Sequence, residues 1–117
     1  MKKIFATILA MSVILAMGSS VSANRVIYHH GNNNSTKTCY AKVSQTGSDT
    51  IGAQITWQLS TSNTVYHGKK STGSGYQVIS SSSRLRGKSG KSYGYYYYNN
   101  MNVPSYHSSN WFAFNFS

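Results

Sequence analysis

Asp49 is the only carboxylate side chain in the 117-residue sequence, and this alone removes several reaction classes. Glycoside hydrolysis by paired carboxylates needs two such groups flanking one bond. Calcium cages need several acidic oxygens. A Ser-His-Asp relay would have to use Asp49, which stands in a Gly47-Ser48-Asp49 turn where a short acidic side chain acts as a turn former. His29, His30, His67 and His107, with Cys39, are the remaining candidate metal ligands. No pair of them has zinc-finger spacing, and adjacent His29 and His30 face opposite sides of a strand. Two histidines and a lysine could cleave RNA without a carboxylate, but no spacing selects such a set. Gly87-Lys88-Ser89 and Gly90-Lys91-Ser92 carry only the tail of a phosphate-binding loop, because Ser82 and Leu85 stand where its leading glycine belongs. No enzymatic activity, metal or cofactor is expected.

A cationic and aromatic constellation is more informative. Arg84, Arg86, Lys88 and Lys91 lead directly into Tyr93, Tyr95, Tyr96, Tyr97 and Tyr98, and these residues form the candidate binding set. In a strand Tyr93, Tyr95 and Tyr97 share one side, while Tyr96 and Tyr98 share the other. One set packs inward and the other stays on a surface. Exposed tyrosines beside cations can stack on sugar rings or bases, or sit at a membrane interface. Ordinary cross-strand tyrosine pairing is the alternative use of the same run.

Charge and targeting set the surroundings. Met1-Lys2-Lys3, the apolar run Ile4 to Met17 and the small residues of Val21-Ser22-Ala23 form a secretory signal peptide over residues 1–23. Cleavage near Ala23-Asn24 releases a single secreted domain, residues 24–117. Loss of Lys2 and Lys3 leaves nine Lys and Arg residues against Asp49, a net charge of +8. Such a chain is drawn to polyanions, and the expected partner is an anionic cell-envelope component: wall precursor, teichoic acid or lipid. The charge also keeps a small sheet protein soluble. No nucleic-acid partner is expected. Cys39 is the lone cysteine, so the domain is held by its core or by self-association into a homo-oligomer.

The elements that position these residues follow from a period of two. From Ile51 to Leu59 every odd position is apolar and every even one is Gly, Gln or Thr, the pattern of a strand with one buried face. Thr36 to Thr46 alternates likewise, with Cys39, Ala41 and Val43 inward. Gly47–Asp49 is expected to join these two strands as a hairpin. Asn24–His30 is a short first strand, Gly31–Ser35 a loop, and Thr64–His67 the return arm of a second hairpin. Gly68–Gly75 reads as a flexible basic loop, Tyr76–Ser80 as a strand, and Asn99–Asn110 as a polar connection. In Trp111–Phe116 all three phenylalanines share one face. Short strands at this spacing make an all-β fold, a small antiparallel β-sandwich or a barrel-like domain.

Tyr28-His29-His30-Gly31, then Ser35-Thr36-Lys37-Thr38 entering an alternating strand, resembles the lactococcin 972 family of secreted bacteriocins. Lys91-Ser92-Tyr93-Gly94 through Tyr98-Asn99 is similar to that family's aromatic final strand, although this chain continues past it to Ser117. The resemblance implies a small cationic β-sandwich, exported through a cleaved signal, that interferes with the envelope of related bacteria by binding a wall precursor. It carries no settled binding residues onto this sequence. A secreted, non-enzymatic, bacteriocin-like protein is therefore the expectation. The alternative is a surface or matrix protein that binds glycans or assembles with itself.

Overall fold

Alternation along β3 (Ile51–Leu59) organises the structure, a computed structural model that describes residues 23–108 and 111–117. The expected signal peptide, apart from Ala23, lies outside the described residues, as do Ser109 and Asn110 of the Asn99–Asn110 connection. The other strands are β1 (Val26–Asn33), β2 (Thr38–Gln45), β4 (Val65–His67), β5 (Ser71–Gly73), β6 (Gln77–Ser81), β7 (Ser89–Tyr98), β8 (Tyr106–His107) and β9 (Phe112–Asn115). All pairings are antiparallel and no described residue is helical, so the fold is the expected all-β sandwich. The small sheet runs β1-β2-β6. In the large sheet β3 and β7 lie at the centre; β4 and β5 pair the free side of β3, while β8 and β9 pair the free side of β7. Both edges of the large sheet are thus broken into short pieces, which blunts pairing with another chain.

Cys39, Ala41 and Val43 of β2 are fully buried opposite Ile51, Ala53 and Ile55 of β3. Here the structure corrects the hairpin expected between β2 and β3. The two strands lie in different sheets, because each has one apolar face and the two faces bury each other as opposed layers. Gly47–Asp49 is the crossing, held by two side chains: Gly47 N donates to Asn24 Oδ1 at 2.7 Å, and the buried Gln45 holds both backbone groups of Asp49. Gln45 Nε2 donates to the carbonyls of Asp49 (2.7 Å) and Gly75 (2.8 Å), and its Oε1 accepts from Asp49 N at 3.0 Å.

Two loop assignments also change. β1 runs on through Gly31 to Asn33, and the turn comes later. Asn33 Oδ1 accepts from Ser35 N (3.0 Å) and Thr36 N (3.1 Å), and Lys37 takes a left-handed φ of 59°. The basic segment 68–75 contains β5, which pairs Ser71–Gly73 with Ala53–Ile51 and so gives the buried first half of β3 a partner on its outer side. The second hairpin forms as expected, with Thr56 opposite His67.

One long side of the sandwich is closed by side chains of β1. Tyr28 stacks on Tyr106 with ring centroids 5.4 Å apart, and Asn32 Nδ2 donates to the Ala113 carbonyl at 3.2 Å. His30 Nε2 lies 2.9 Å from Ser92 Oγ in the facing sheet. Phe112 meets the His30 ring edge-on and is half exposed, while Phe114 and Phe116 are buried, so the expected row of three does not enter the core together. Burial lowers the His30 pKa, and the neighbouring His29 lowers it further. The unfolded chain, with an ordinary histidine pKa near 6.5, then binds this proton more readily than the folded one. Stability should be full above that value and fall as pH drops below it towards the lowered folded pKa. Urea midpoints between pH 7.5 and 5 should show this decline, and His30→Gln should flatten it.

Candidate binding face

β7 carries the candidate set, and its register decides where each member points. Ser92, Gly94 and Tyr96 face the core, with Tyr96 only 2 % exposed. Lys91, Tyr93, Tyr95 and Tyr97 face outward on the large sheet, beside Gln54, Thr56 and Gln58 of β3. Along this face Tyr93 and Tyr95 join hydroxyls at 2.6 Å, and their ring centroids lie 5.1 Å apart. Trp111 stands edge-on to Tyr93 at 4.4 Å, and Lys91 Nζ lies 5.0 Å from the Trp111 ring. His107 continues the row beside Tyr95, and His67 Nδ1 lies 3.0 Å from Thr56 Oγ1. Tyr93, His107, Ser108 and Trp111 line a shallow cleft of about 200 Å³. Partial burial, then the Tyr95 hydroxyl, push the Tyr93 pKa up to about 12, so this phenol is a neutral hydrogen-bonding group at physiological pH.

The remaining members of the set are covered or lie elsewhere. Tyr97 is buried beneath Lys70, whose Nζ sits 4.3 Å from its ring centroid and donates to the Met101 carbonyl at 2.7 Å. Tyr98 donates from its hydroxyl to Asp49 Oδ2 at 2.6 Å, at the opposite end of β7 from the arginines. That bond and one from Asn24 Nδ2 (2.8 Å) hold the Asp49 pKa below the usual carboxylate range. The sole carboxylate is therefore spent on fastening the start of the domain to the crossing between sheets.

Arg84, Arg86 and Lys88 occupy the segment that feeds β7. Leu85 plugs into the core at 2 % exposure and donates its N–H to the Lys37 carbonyl at 2.7 Å. Its neighbours Arg84 and Arg86 are left exposed, and Gly87 turns the chain with a φ of 77°. Lys37, Arg84, Arg86 and Lys88 thus gather at one end of the sandwich, next to the start of the aromatic face.

Trp111 and His107 were not in the set read from sequence. Trp111 was legible: alternation puts it on the side opposite Phe112 and Phe114, the outer side once those rings turn inward. His107 had no signal, because β8 is only two residues long.

Ser92 and His30 resemble two members of an acyl-transfer triad, but Ser92 has no exposed surface, and Asp49 is held by Tyr98 and Asn24. Cys39 is fully buried, and burial raises its thiol pKa, away from nucleophilic use. No group of three His, Cys, Asp or Glu residues placed to hold a metal occurs among the described residues. Comparison with protein-family models, curated proteins and solved structures finds no match to this chain.

Proposed function

We propose that the protein is a secreted, cationic, non-enzymatic bacteriocin-like protein that acts on the anionic envelope of bacteria. The observation that carries the reading is Lys91 held against Trp111, beside Tyr93 and Tyr95, with three further cations in the segment entering the same strand. Cations attract phosphate or carboxylate groups, while the aromatic edges and phenols supply contact area and hydrogen bonds for sugar units. The resemblance to the lactococcin 972 family, carried partly by the residues of β7, supports the same reading.

The test uses mature protein on related strains, scoring growth inhibition and binding to intact cells. Binding should weaken as salt rises, because exposed charges are screened beyond about 10 Å at 0.1 M. Replacing Arg84, Arg86, Lys88 and Lys91 with Gln should reduce it roughly tenfold or more, at up to about 1 kcal/mol per exposed contact. Binding indifferent to both salt and these substitutions would overturn the mechanism. A second reading, a surface protein that retains glycans, is favoured by the aromatic row of Tyr95, Tyr93 and Trp111, which offers ring faces and edges to sugar units. Glycan retention without growth inhibition selects it.

A further inference from the structure

The opposite face of the sandwich holds a second assembly of the same chemical kind. Outward residues of the small sheet form rows: His29 pairs Lys42 and Lys42 pairs Ile79, while Gly31 pairs Tyr40 and Tyr40 pairs Ser81. Tyr40 lies down across Gly31, so close that a Cβ there would stand 2.8 Å from its hydroxyl and 3.0 Å from Cζ. His29 Nε2, 2.9 Å from the same hydroxyl, pins the ring in that attitude. The absence of a side chain at position 31 therefore lets an aromatic ring lie over the sheet.

A cleft of about 470 Å³ opens beside this ring. Its walls include Asn34, Thr36, Thr38, Lys42, Ile79 and Ser81. Tyr40 and the exposed Ile79 offer apolar surface to the C–H face of a sugar ring, and the amide and hydroxyls offer donors and acceptors to its hydroxyl groups. Lys42 adds one cation for an acidic or phosphate substituent. With a net charge of +8 on the secreted domain, an anionic polymer is also the occupant that the whole molecule attracts.

We infer that this cleft is a second binding site for an anionic, sugar-bearing envelope polymer, and that the protein is bivalent. The two sites lie on the outer faces of opposed sheets and point away from each other, so one chain cannot fold a short ligand across both. It holds two strands instead and bridges them, with an effective concentration that raises overall avidity. This inference rests on the function proposed above.

The experiment uses mature protein with purified wall teichoic acid, both as a short fragment and as the long polymer. Wild type should take up two fragments per chain and make the long polymer turbid. Tyr40→Ala should bind one fragment per chain and cause no turbidity, while Tyr40→Phe, which keeps the ring but loses the hydroxyl held by His29, should still bind two, the second more weakly than in wild type. Trp111→Ala should also bind one, at the small-sheet site. Denaturation midpoints establish that each variant is folded. If Tyr40→Ala keeps wild-type stoichiometry and turbidity, the second site is overturned while the first stands. If Trp111→Ala changes nothing while Tyr40→Ala abolishes binding, the reading of the large-sheet face fails instead. Turbidity in protein alone would assign the bridging to self-association and overturn bivalence.

Discussion

Ile55→Ala should destabilise the domain by about 2–5 kcal/mol, seen as a lower urea midpoint with an unchanged m-value. Ile55 has no exposed surface and lies at the middle of β3, between β7 on one side and the facing small sheet. Its own N–H donates across the core to Ser80 Oγ at 3.0 Å, and that hydroxyl donates on to the Lys69 carbonyl at 2.7 Å. A cavity here therefore borders the hydrogen bonds that tie the two sheets together, and collapse to fill it would strain them. Domains of this size hold about 5–15 kcal/mol in total, and this one has no disulfide in reserve. Ile79→Ala is the matched control. Ile79 faces outward at 43 % exposure, so the same truncation should move the midpoint little. Equal losses at the two positions would mean that the core is not built around β3.

Much of the architecture is legible because alternation is a local signal. β2 and β3 each announce one apolar face, and those faces are the two halves of the core. What alternation does not encode is partnership. A short polar turn between two such strands suits a hairpin and a sheet-to-sheet crossing equally; burial of the two apolar faces against each other selects the crossing, and Gln45, 4 residues from Asp49, caps its corner. β5 and β8 escaped notice for a related reason. They are 3 and 2 residues long, and they are strands only because β3 and β7 present unpaired backbone beside them.

The tyrosine run shows the same division. Its two parities could be read from sequence, but which one is buried follows from size. Ser92 and Gly94 share the parity of Tyr96, and the Tyr96 ring folds back over Gly94, where a Cβ would stand 2.6 Å from its hydroxyl. Small neighbours on one parity made room for one ring inside, with Tyr28 and Tyr106 packed against it. That leaves Lys91, Tyr93 and Tyr95 outside as a coherent face. The arginines could be found by composition alone, yet their placement depends on Leu85, a single apolar residue set between them.

Gly90→Ala should cost about 3 kcal/mol, the upper part of the range for overpacking, although it adds only one methyl group. Gly90 does not have a positive φ, so alanine suffers no backbone strain there, and by itself the loss of glycine freedom in the unfolded chain would favour folding. The cost comes from what the methyl meets: the Gln58 carbonyl oxygen, with the Leu59 Cα at 3.0 Å and the buried Phe114 ring at 2.9 Å. Two of these belong to the backbone of β3 and cannot rotate aside, so β7 must shift against its neighbours on both sides. Lys91 is the next residue and Tyr93 follows two later, so the shift should also pull them from Trp111 and weaken binding at this face. Gly52→Ala makes the comparison. Its Cβ would meet the Met101 sulfur at 2.8 Å, the end of a flexible side chain, with Thr72 Cγ2 at 3.2 Å and the Ser71 carbonyl at 3.3 Å on the short edge strand β5, each needing to give by only a few tenths of an ångström. Met101 can swing away, so the expected loss is about 1 kcal/mol or less, with binding retained. Denaturation midpoints and cell binding measured on both variants separate a rigid backbone contact from a yielding side-chain one. Similar midpoints for the two would mean that β3 and β7 approach less closely at Gly90 than the structure has them.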